Sequence, residues 1–265
     1  MNRIDAKFGE LKAKGQKALI TYIMAGDPSL QDTESLVLEL ERAGADIVEL
    51  GIPFSDPIAD GPVIQKAAER ALRSGTSLRR ILAMVEALRA KTQIPIVLMA
   101  YYNTIVALGE AAFCREAVKV GVDGLIVPDM PVEEAVELEA ASAKSGLALI
   151  HLLAPTSTSE RRATIARQSR GFVYYVSLTG ITGAKLQNRA EVGRNVEKIR
   201  RISPVPVAVG FGIATPQDAK EVSGMADGII VGTAIVRQVE QHVHDSDLAH
   251  HVGRFVQSLK TAMAS

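Results

Sequence analysis

The chain has 265 residues, 47% of them hydrophobic and 23% charged, with 21 Gly and 11 Pro, a composition that can bury a large core and excludes intrinsic disorder. Thirty Lys and Arg balance thirty Asp and Glu, so no global field favours nucleic acid or an anionic membrane, and any ligand must be held by a local site. One cysteine, Cys114, excludes an internal disulfide; the start Met1-Asn2-Arg3-Ile4-Asp5 has no signal-like apolar run, residues 94–108 are too short and too interrupted to span a bilayer, and a cytoplasmic location is expected.

Residues 4–14 space Ile4, Phe8 and Leu11 along one face of a helix that can close one end of a barrel. After it, short β-branched runs alternate with stretches of helical periodicity. Strands are predicted at 18–25, 47–50, 96–101, 124–127, 148–152, 172–177, 205–209 and 228–231, each apolar enough for burial on both faces. Helices are predicted at 33–43, 78–90, 111–120, 132–145, 160–168 and 247–263, and Gly44, Gly121, Gly146 and Gly171 fall where a helix should stop before the next strand. Eight βα repeats in about 250 residues predict one domain, residues 1–265, folded as an α/β (β/α)8 barrel of the TIM type rather than an open doubly wound sheet. It carries the extra N-terminal helix and a short phosphate-binding helix, 234–240, after strand eight.

Chemistry in such a barrel sits at the carboxyl ends of the strands, which confines the search to eight short windows. The second reads Asp46-Ile47-Val48-Glu49-Leu50-Gly51 and places Glu49 inside an apolar strand. Burial raises a carboxyl pKa and makes it able to exchange protons near neutrality, and no other strand offers an Arg or Lys to pair with it. The following loop, residues 52–62, is preset by Pro53, Pro57 and Pro62 and carries Asp56 and Asp60; either aspartate can reach the mouth, and both also suit solvated turns. Asp27, Asp129 and His151 complete the polar inventory, but they lack a compact ligand spacing, and a lone strand histidine reads as a hydrogen-bonded core residue. His242, His244, His250 and His251 are placed on solvated surface, none of them in a ligand set, so no metal is expected. Cys114 reads as packing, and the absence of lysine from every strand argues against a Schiff-base aldolase.

Strand seven ends in Gly210-Phe211-Gly212 ahead of a helix start at Thr215-Pro216, strand eight ends in Gly232-Thr233, and Gly180-Ile181-Thr182-Gly183 follows strand six. Each glycine pair alone reads as a tight turn; three in consecutive windows point to a phosphate cradle, where free N–H groups and a helix dipole hold an anion. The polar stretch from 180 to about 195 is long enough for a lid. Aromatic residues are scarce, yet Tyr22, Tyr101, Tyr102, Tyr174, Tyr175 and Phe211 all lie in or just after strand runs, and Phe211 between two glycines can face a flat ligand.

With these residues assembled, the chain closely resembles the alpha subunit family of tryptophan synthase. The resemblance rests on the run from Glu49 to Pro62, on Val127-Pro128-Asp129-Met130-Pro131, on Thr182-Gly183, on Gly210-Phe211-Gly212-Ile213 and on Gly232-Thr233-Ala234-Ile235-Val236. It implies a barrel that cleaves indole-3-glycerol phosphate into indole and glyceraldehyde-3-phosphate by a retro-aldol reaction, without metal or Schiff base. Under it, Glu49 is the general acid/base and Asp60 holds the indole N–H. Tyr22, Tyr174 and Phe211 line the substrate pocket, Thr182 closes the lid near Asp60, and Gly183, Gly212, Gly232 and Thr233 bind phosphate. The resemblance also implies a pyridoxal-phosphate beta subunit as partner, in a complex of two alpha and two beta chains, faced by Pro53, Asp56 and the segment after Tyr102-Asn103; this chain itself is implied to carry no cofactor. Thr104 stands where many members have proline, Leu178 where some have arginine, and Thr233 where serine is usual. Another phosphosugar barrel, or a non-catalytic binding subunit, is the competing reading of the same windows.

Overall fold

The computed structural model describes residues 2–176, 189–210 and 212–264. Its strands are β1 (Ala18–Met24), β2 (Ile47–Gly51), β3 (Ile96–Met99), β4 (Gly124–Ile126), β5 (Ala148–Ile150), β6 (Leu152–Leu153), β7 (Val173–Val176), β8 (Val207–Gly210) and β9 (Gly228–Val231). All pairs are parallel, in the order β5-β4-β3-β2-β1-β9-β8-β7-β6. Only His151 separates β5 from β6, so these two pieces are halves of one stave and the eight-stave sheet closes into the predicted barrel. The expected continuous strand at 148–152 is interrupted because the His151 N–H donates to the Ser169 hydroxyl, 3.3 Å away, instead of to a neighbouring strand.

The helices are α1 (Arg3–Ala13), α2 (Leu30–Arg42), α3 (Pro62–Arg73), α4 (Leu78–Leu88), α5 (Tyr102–Val106), α6 (Glu110–Lys119), α7 (Val136–Ser145), α8 (Ser159–Gln168), α9 (Arg189–Arg200), α10 (Pro216–Ser223), α11 (Thr233–Gln241) and α12 (Leu248–Met263). The glycines expected to stop helices do so in the left-handed region, with φ of +100° at Gly44, +97° at Gly121, +83° at Gly146 and +76° at Gly171. Two expectations change. The predicted helix 132–145 starts as a 3-10 turn, Val132–Glu134, and becomes α-helical only from Val136. The polar stretch assigned to a lid already belongs to α9 from Arg189 onward, because Val192, Val196 and Ile199 give it a buried face. Among the described residues no helix is long and apolar enough to cross a membrane.

Side chains alternate across each strand, so one set points to the helices and the other into the barrel. Leu19, Ile23, Val48 and Leu50 belong to the outer core against the helices. Ile20, Ile47, Val97, Ile126, Ile150, Phe172, Ala208 and Ile230 form the inner one, together with Ile4, Phe8 and Leu11 of α1. The extra helix is therefore a plug at the amino end of the strands, with the Phe8 and Phe172 rings 5.9 Å apart.

The plug is fixed by one buried carboxylate. Asp123, 4% exposed, accepts from Arg3 Nη1 at 3.0 Å, from Arg89 Nη2 at 2.9 Å and from the Ile96 N–H at 2.9 Å, while its carbonyl accepts from Asn2 Nδ2 at 2.8 Å. Removing that carboxylate leaves the mostly buried Arg89 without its counter-charge and takes the Arg3 ion pair away from α1. Asp123→Ala is expected to lower unfolding free energy by about 3 kcal/mol, the usual cost of breaking a buried pair, measured by urea denaturation; a loss below about 1 kcal/mol, the range of an exposed pair, is the contrary result.

Candidate active site

Register carries the inner set upward toward the carboxyl ends. Tyr22 pairs with Glu49 across β1 and β2, Glu49 with Val97 on β3, and Tyr174 with Ala208 across β7 and β8. Glu49 follows Ile47 by two residues, so it points into the barrel one layer above the apolar plug. It is 1% exposed, and among the described residues neither carboxylate oxygen has a hydrogen-bond partner. Burial in this dry layer, reinforced by the charge on Asp60, pushes its pKa up to about 8. At neutral pH the group is protonated and ready to donate.

The other polar residues near the mouth are satisfied. Asp27 takes a bidentate pair from Arg70, with both contacts at 2.8 Å, and Asp129 accepts the Tyr102 N–H at 2.9 Å. His151 lies 3.1 Å from Glu139 through Nε2, and burial pulls its pKa down to about 4, so it is a neutral hydrogen-bonded core residue as its sequence context suggested. Among the described residues near the mouth, Glu49 is the one carboxyl left buried with no hydrogen-bond partner, which is an expensive arrangement for a group with no task.

The loop after β2 resolves the choice between its two aspartates. Asp56 is exposed, whereas Asp60 is partly buried and lies beside the Tyr101 hydroxyl. Burial raises the Asp60 pKa to about 6, against the lowering effect of that hydroxyl, so it stays predominantly ionised at pH 7. Tyr101 holds the loop twice more: its hydroxyl accepts the Ala59 N–H at 3.0 Å, and its ring stacks on Phe54 with centroids 5.2 Å apart. Sequence reasoning placed Tyr101 near the mouth without a role. The only signal was its position at the end of the third strand run, two strands from β1 and facing the loop that carries Asp60.

Tyr22 and Tyr174 frame Glu49. Both phenol pKa values are raised by burial, with the Glu49 charge contributing. Their rings fit because strand-end residues opposite them have no side chain. A Cβ at Gly210 would lie 2.5 Å from Tyr174 Cε1, and one at Gly51 would overlap the Tyr22 hydroxyl. Gly210 thus makes room for a tyrosine rather than for an anion. Gly212 has φ +36° and nothing within reach of a Cβ, leaving open space at the mouth.

Gly232 and Thr233 open α11, and no side chain caps that helix end. The neighbouring α10 differs: Thr215 caps it, Asp218 completes a capping box, and Pro216 occupies the first turn as its sequence predicted. Of the two helices that follow β8 and β9, only α11 leaves its first-turn N–H groups for an external acceptor. Thr182, Gly183 and Phe211 lie outside the described residues.

Of the two residues for which the resemblance implies a partner contact, Pro53 is buried and Asp56 exposed, so Pro53 shapes the loop and Asp56 is the group open to contact. Thr104 belongs to α5 and donates its N–H to the Tyr101 carbonyl at 3.0 Å, a bond that proline at this position could not make.

The sequence profile of the tryptophan synthase alpha chain family matches residues 8–264. The chain belongs to that family. A tryptophan synthase alpha chain from Geobacter sp. is 52% identical over 260 residues, covering 98% of this chain and 97% of its own length. Another, from Geobacter sulfurreducens, is 51% identical over the full length of both. Among solved structures, tryptophan synthase subunit alpha from Legionella pneumophila superposes with a TM-score of 0.92 at 39% identity, covering 100% of this chain and 99% of that one. A chain of tryptophan synthase from M. tuberculosis gives 0.89 at 33% identity, with 100% of both covered. As a tryptophan synthase alpha chain the protein is a lyase of tryptophan biosynthesis, and the alpha reaction is cleavage of indole-3-glycerol phosphate.

The raised pKa of Glu49 has a thermodynamic consequence. Between the ordinary carboxyl value of 4.5 and about 8, the unfolded chain releases a proton that the folded chain keeps, so this group's contribution is intact at low pH and lost as pH rises. Glu49→Gln is therefore expected to become more stable relative to the parent between about pH 5 and about pH 8.5, by on the order of 4 kcal/mol. Urea denaturation of both proteins at the two pH values measures the difference; a pH-independent gap would place the Glu49 pKa near its ordinary value.

Proposed function

We propose that Glu49 and Asp60 carry the retro-aldol cleavage of indole-3-glycerol phosphate, with Glu49 moving the proton and Asp60 stabilising the charge. The observation that carries this reading is the pair of buried, unpartnered Glu49 oxygens beside an ionised Asp60. Glu49 gives its proton to indole C3, and the positive charge that spreads to the ring nitrogen is met by Asp60, to which the N–H is hydrogen-bonded. The resulting Glu49 carboxylate then takes the proton of the hydroxyl on the carbon attached to C3. That carbon becomes the aldehyde of glyceraldehyde-3-phosphate as the bond to C3 breaks, and the bonding electrons return to the ring. Glu49 ends protonated, as it began, so no external acid or base is consumed.

Tyr22 and Tyr174 wall the reacting layer, and Tyr101 positions Asp60 by holding its loop. The substrate phosphate is assigned to Gly212, Gly232 and Thr233, supported by the uncapped start of α11, and to Gly183 by family resemblance. Phe211 and Thr182 take their roles, indole pocket and lid, from the same resemblance. The whole of residues 1–265 acts as one barrel domain and needs no cofactor of its own for this step.

The family works with a beta chain, and a complex of two alpha and two beta chains is the assembly we infer, with pyridoxal phosphate on the beta chain that receives indole. Ile58 (76% exposed), Val106 (48%) and Leu108 (45%) support this: they are large apolar side chains left in water on the loop that holds Asp56 and on the segment after Tyr102-Asn103.

Indole release from indole-3-glycerol phosphate by the purified chain in EDTA tests the reading. Glu49→Gln is expected to abolish release and Asp60→Asn to lower kcat about 10²–10³-fold, while glycerol phosphate still binds both variants. Equal turnover by Glu49→Gln and parent would overturn the assignment, and loss of activity with chelator would favour a metal-dependent barrel. The pH profile of kcat/KM is expected to be a bell, rising near 6 as Asp60 ionises and falling near 8 as Glu49 loses its proton. A profile flat from pH 5 to 9 would contradict both assignments.

A further inference from the structure

The turn between α11 and α12 brings together side chains that the sequence places on solvated surface, outside any ligand set. Residues 242–247 reverse the chain, and the reversal is closed by backbone bonds from Asp245 N to His242 O at 2.9 Å and from Leu248 N to Asp245 O at 3.2 Å. This places His242, at the end of α11, against His251, in the first turns of α12: the two imidazoles stack with centroids 4.1 Å apart and planes 3° from parallel. The Asp245 carboxylate lies 2.6 Å from His242 Nδ1. One ligating atom from each of the three residues falls within 4.8 Å of the others.

We infer that His242, Asp245 and His251 form a zinc-binding site that staples α11 to α12. Two imidazole nitrogens and one carboxylate oxygen are the borderline donor set that zinc accepts, and a hard cation such as Mg²⁺ prefers oxygen alone. Ligand atoms around a tetrahedral zinc sit about 3.3 Å apart, given bonds of about 2.0–2.1 Å. Metal binding requires the two rings to unstack and turn their in-plane lone pairs toward a common point; both histidines are half-exposed and Asp245 is exposed, so they are free to do so, and a water can fill the fourth position.

One group opposes the ion. Arg254 Nη2 lies 2.9 Å from His251 Nδ1, but Arg254 is exposed and can swing into solvent at little cost. His244 and His250 are exposed neighbours, the latter 3.9 Å from Glu39, and neither belongs to the triad.

The location gives the site a consequence. α11 begins at the proposed phosphate cradle, and α12 is tied to the barrel where Lys260 Nζ meets Asp46 at 2.5 Å, a carboxylate that also accepts the Leu19 N–H at 2.7 Å. A metal at the far end of α11 therefore anchors the phosphate-binding helix to the barrel wall. The inference stands on these three side chains and does not depend on the reaction assigned to the mouth.

The test is calorimetric titration of ZnCl2 into the full chain, without an affinity tag and stripped of metal, compared with His242→Ala, His251→Ala and Asp245→Asn. One zinc per chain is expected, weakened at least tenfold in each histidine variant and severalfold in Asp245→Asn, with no heat from Mg²⁺. Arg254→Ala, which removes the competing cation, should tighten binding. Thermal unfolding gives an independent reading: at zinc a hundredfold above the parental Kd the Tm should rise by about 5 °C, and the rise should fall to about half or less in His242→Ala and His251→Ala while their melting in EDTA matches the parent. Absence of saturable zinc binding, or binding that both histidine variants retain at parental affinity, would overturn the site.

Discussion

Closing a parallel sheet on itself gives every strand two buried faces, and everything at the mouth depends on how the inner face is filled. From the amino end upward, α1 and the layer of Ile20, Ile47, Val97 and Ile126 leave no room for water, so the next inward residue on β2, Glu49, is desolvated from below. Asp123 fastens that plug at the amino end of the strands, pairing with Arg3 of α1 and with Arg89 after α4.

Above that layer the fold separates rigid parts from aimed ones. Glu49, Tyr22 and Tyr174 project from strands whose register is locked, which suits groups that must hold a proton or wall a ring. Asp60 sits on a loop, and its position rests on Tyr101, through the hydroxyl and the stack on Phe54. The two carboxyls are chemically alike in water, but one is raised to about 8 and the other to about 6, so near pH 7 one is an acid and the other an anion. The difference comes from depth: full burial for Glu49, and partial burial with a hydroxyl neighbour for Asp60.

The α11 segment joins both ends of this account. Its uncapped first turn lies at the strand ends, and its last residues reverse onto α12 through the His242, Asp245 and His251 turn. A short helix of this kind is held by few contacts of its own, so its anchorage on α3, β1 and α12 decides how firmly the free N–H groups are presented.

The alternation of apolar runs and helical periodicity was enough to read the barrel, the plug helix and the buried glutamate, because those features depend on local pattern and on the cost of a charge in an apolar strand. Thr215 and Pro216 were legible for the same reason, as capping is local chemistry. Asp56 and Asp60 could not be separated along the chain: both are turn aspartates beside proline or glycine, and the tertiary fold distinguishes them by partly burying Asp60 beside Tyr101 from another strand while leaving Asp56 exposed. Gly210 read as part of a phosphate motif and instead accommodates Tyr174, since what a missing Cβ makes room for is set by a neighbouring strand. The histidines clustered near the carboxyl end showed no ligand spacing because a chain reversal, not sequence spacing, stacks His242 on His251. Sequence by itself determined the alternation of strands and helices that makes the barrel, though not α3 or α9, and where a charge would be buried; tertiary structure decided which polar groups meet, because those meetings are made by side chains from segments far apart in the chain.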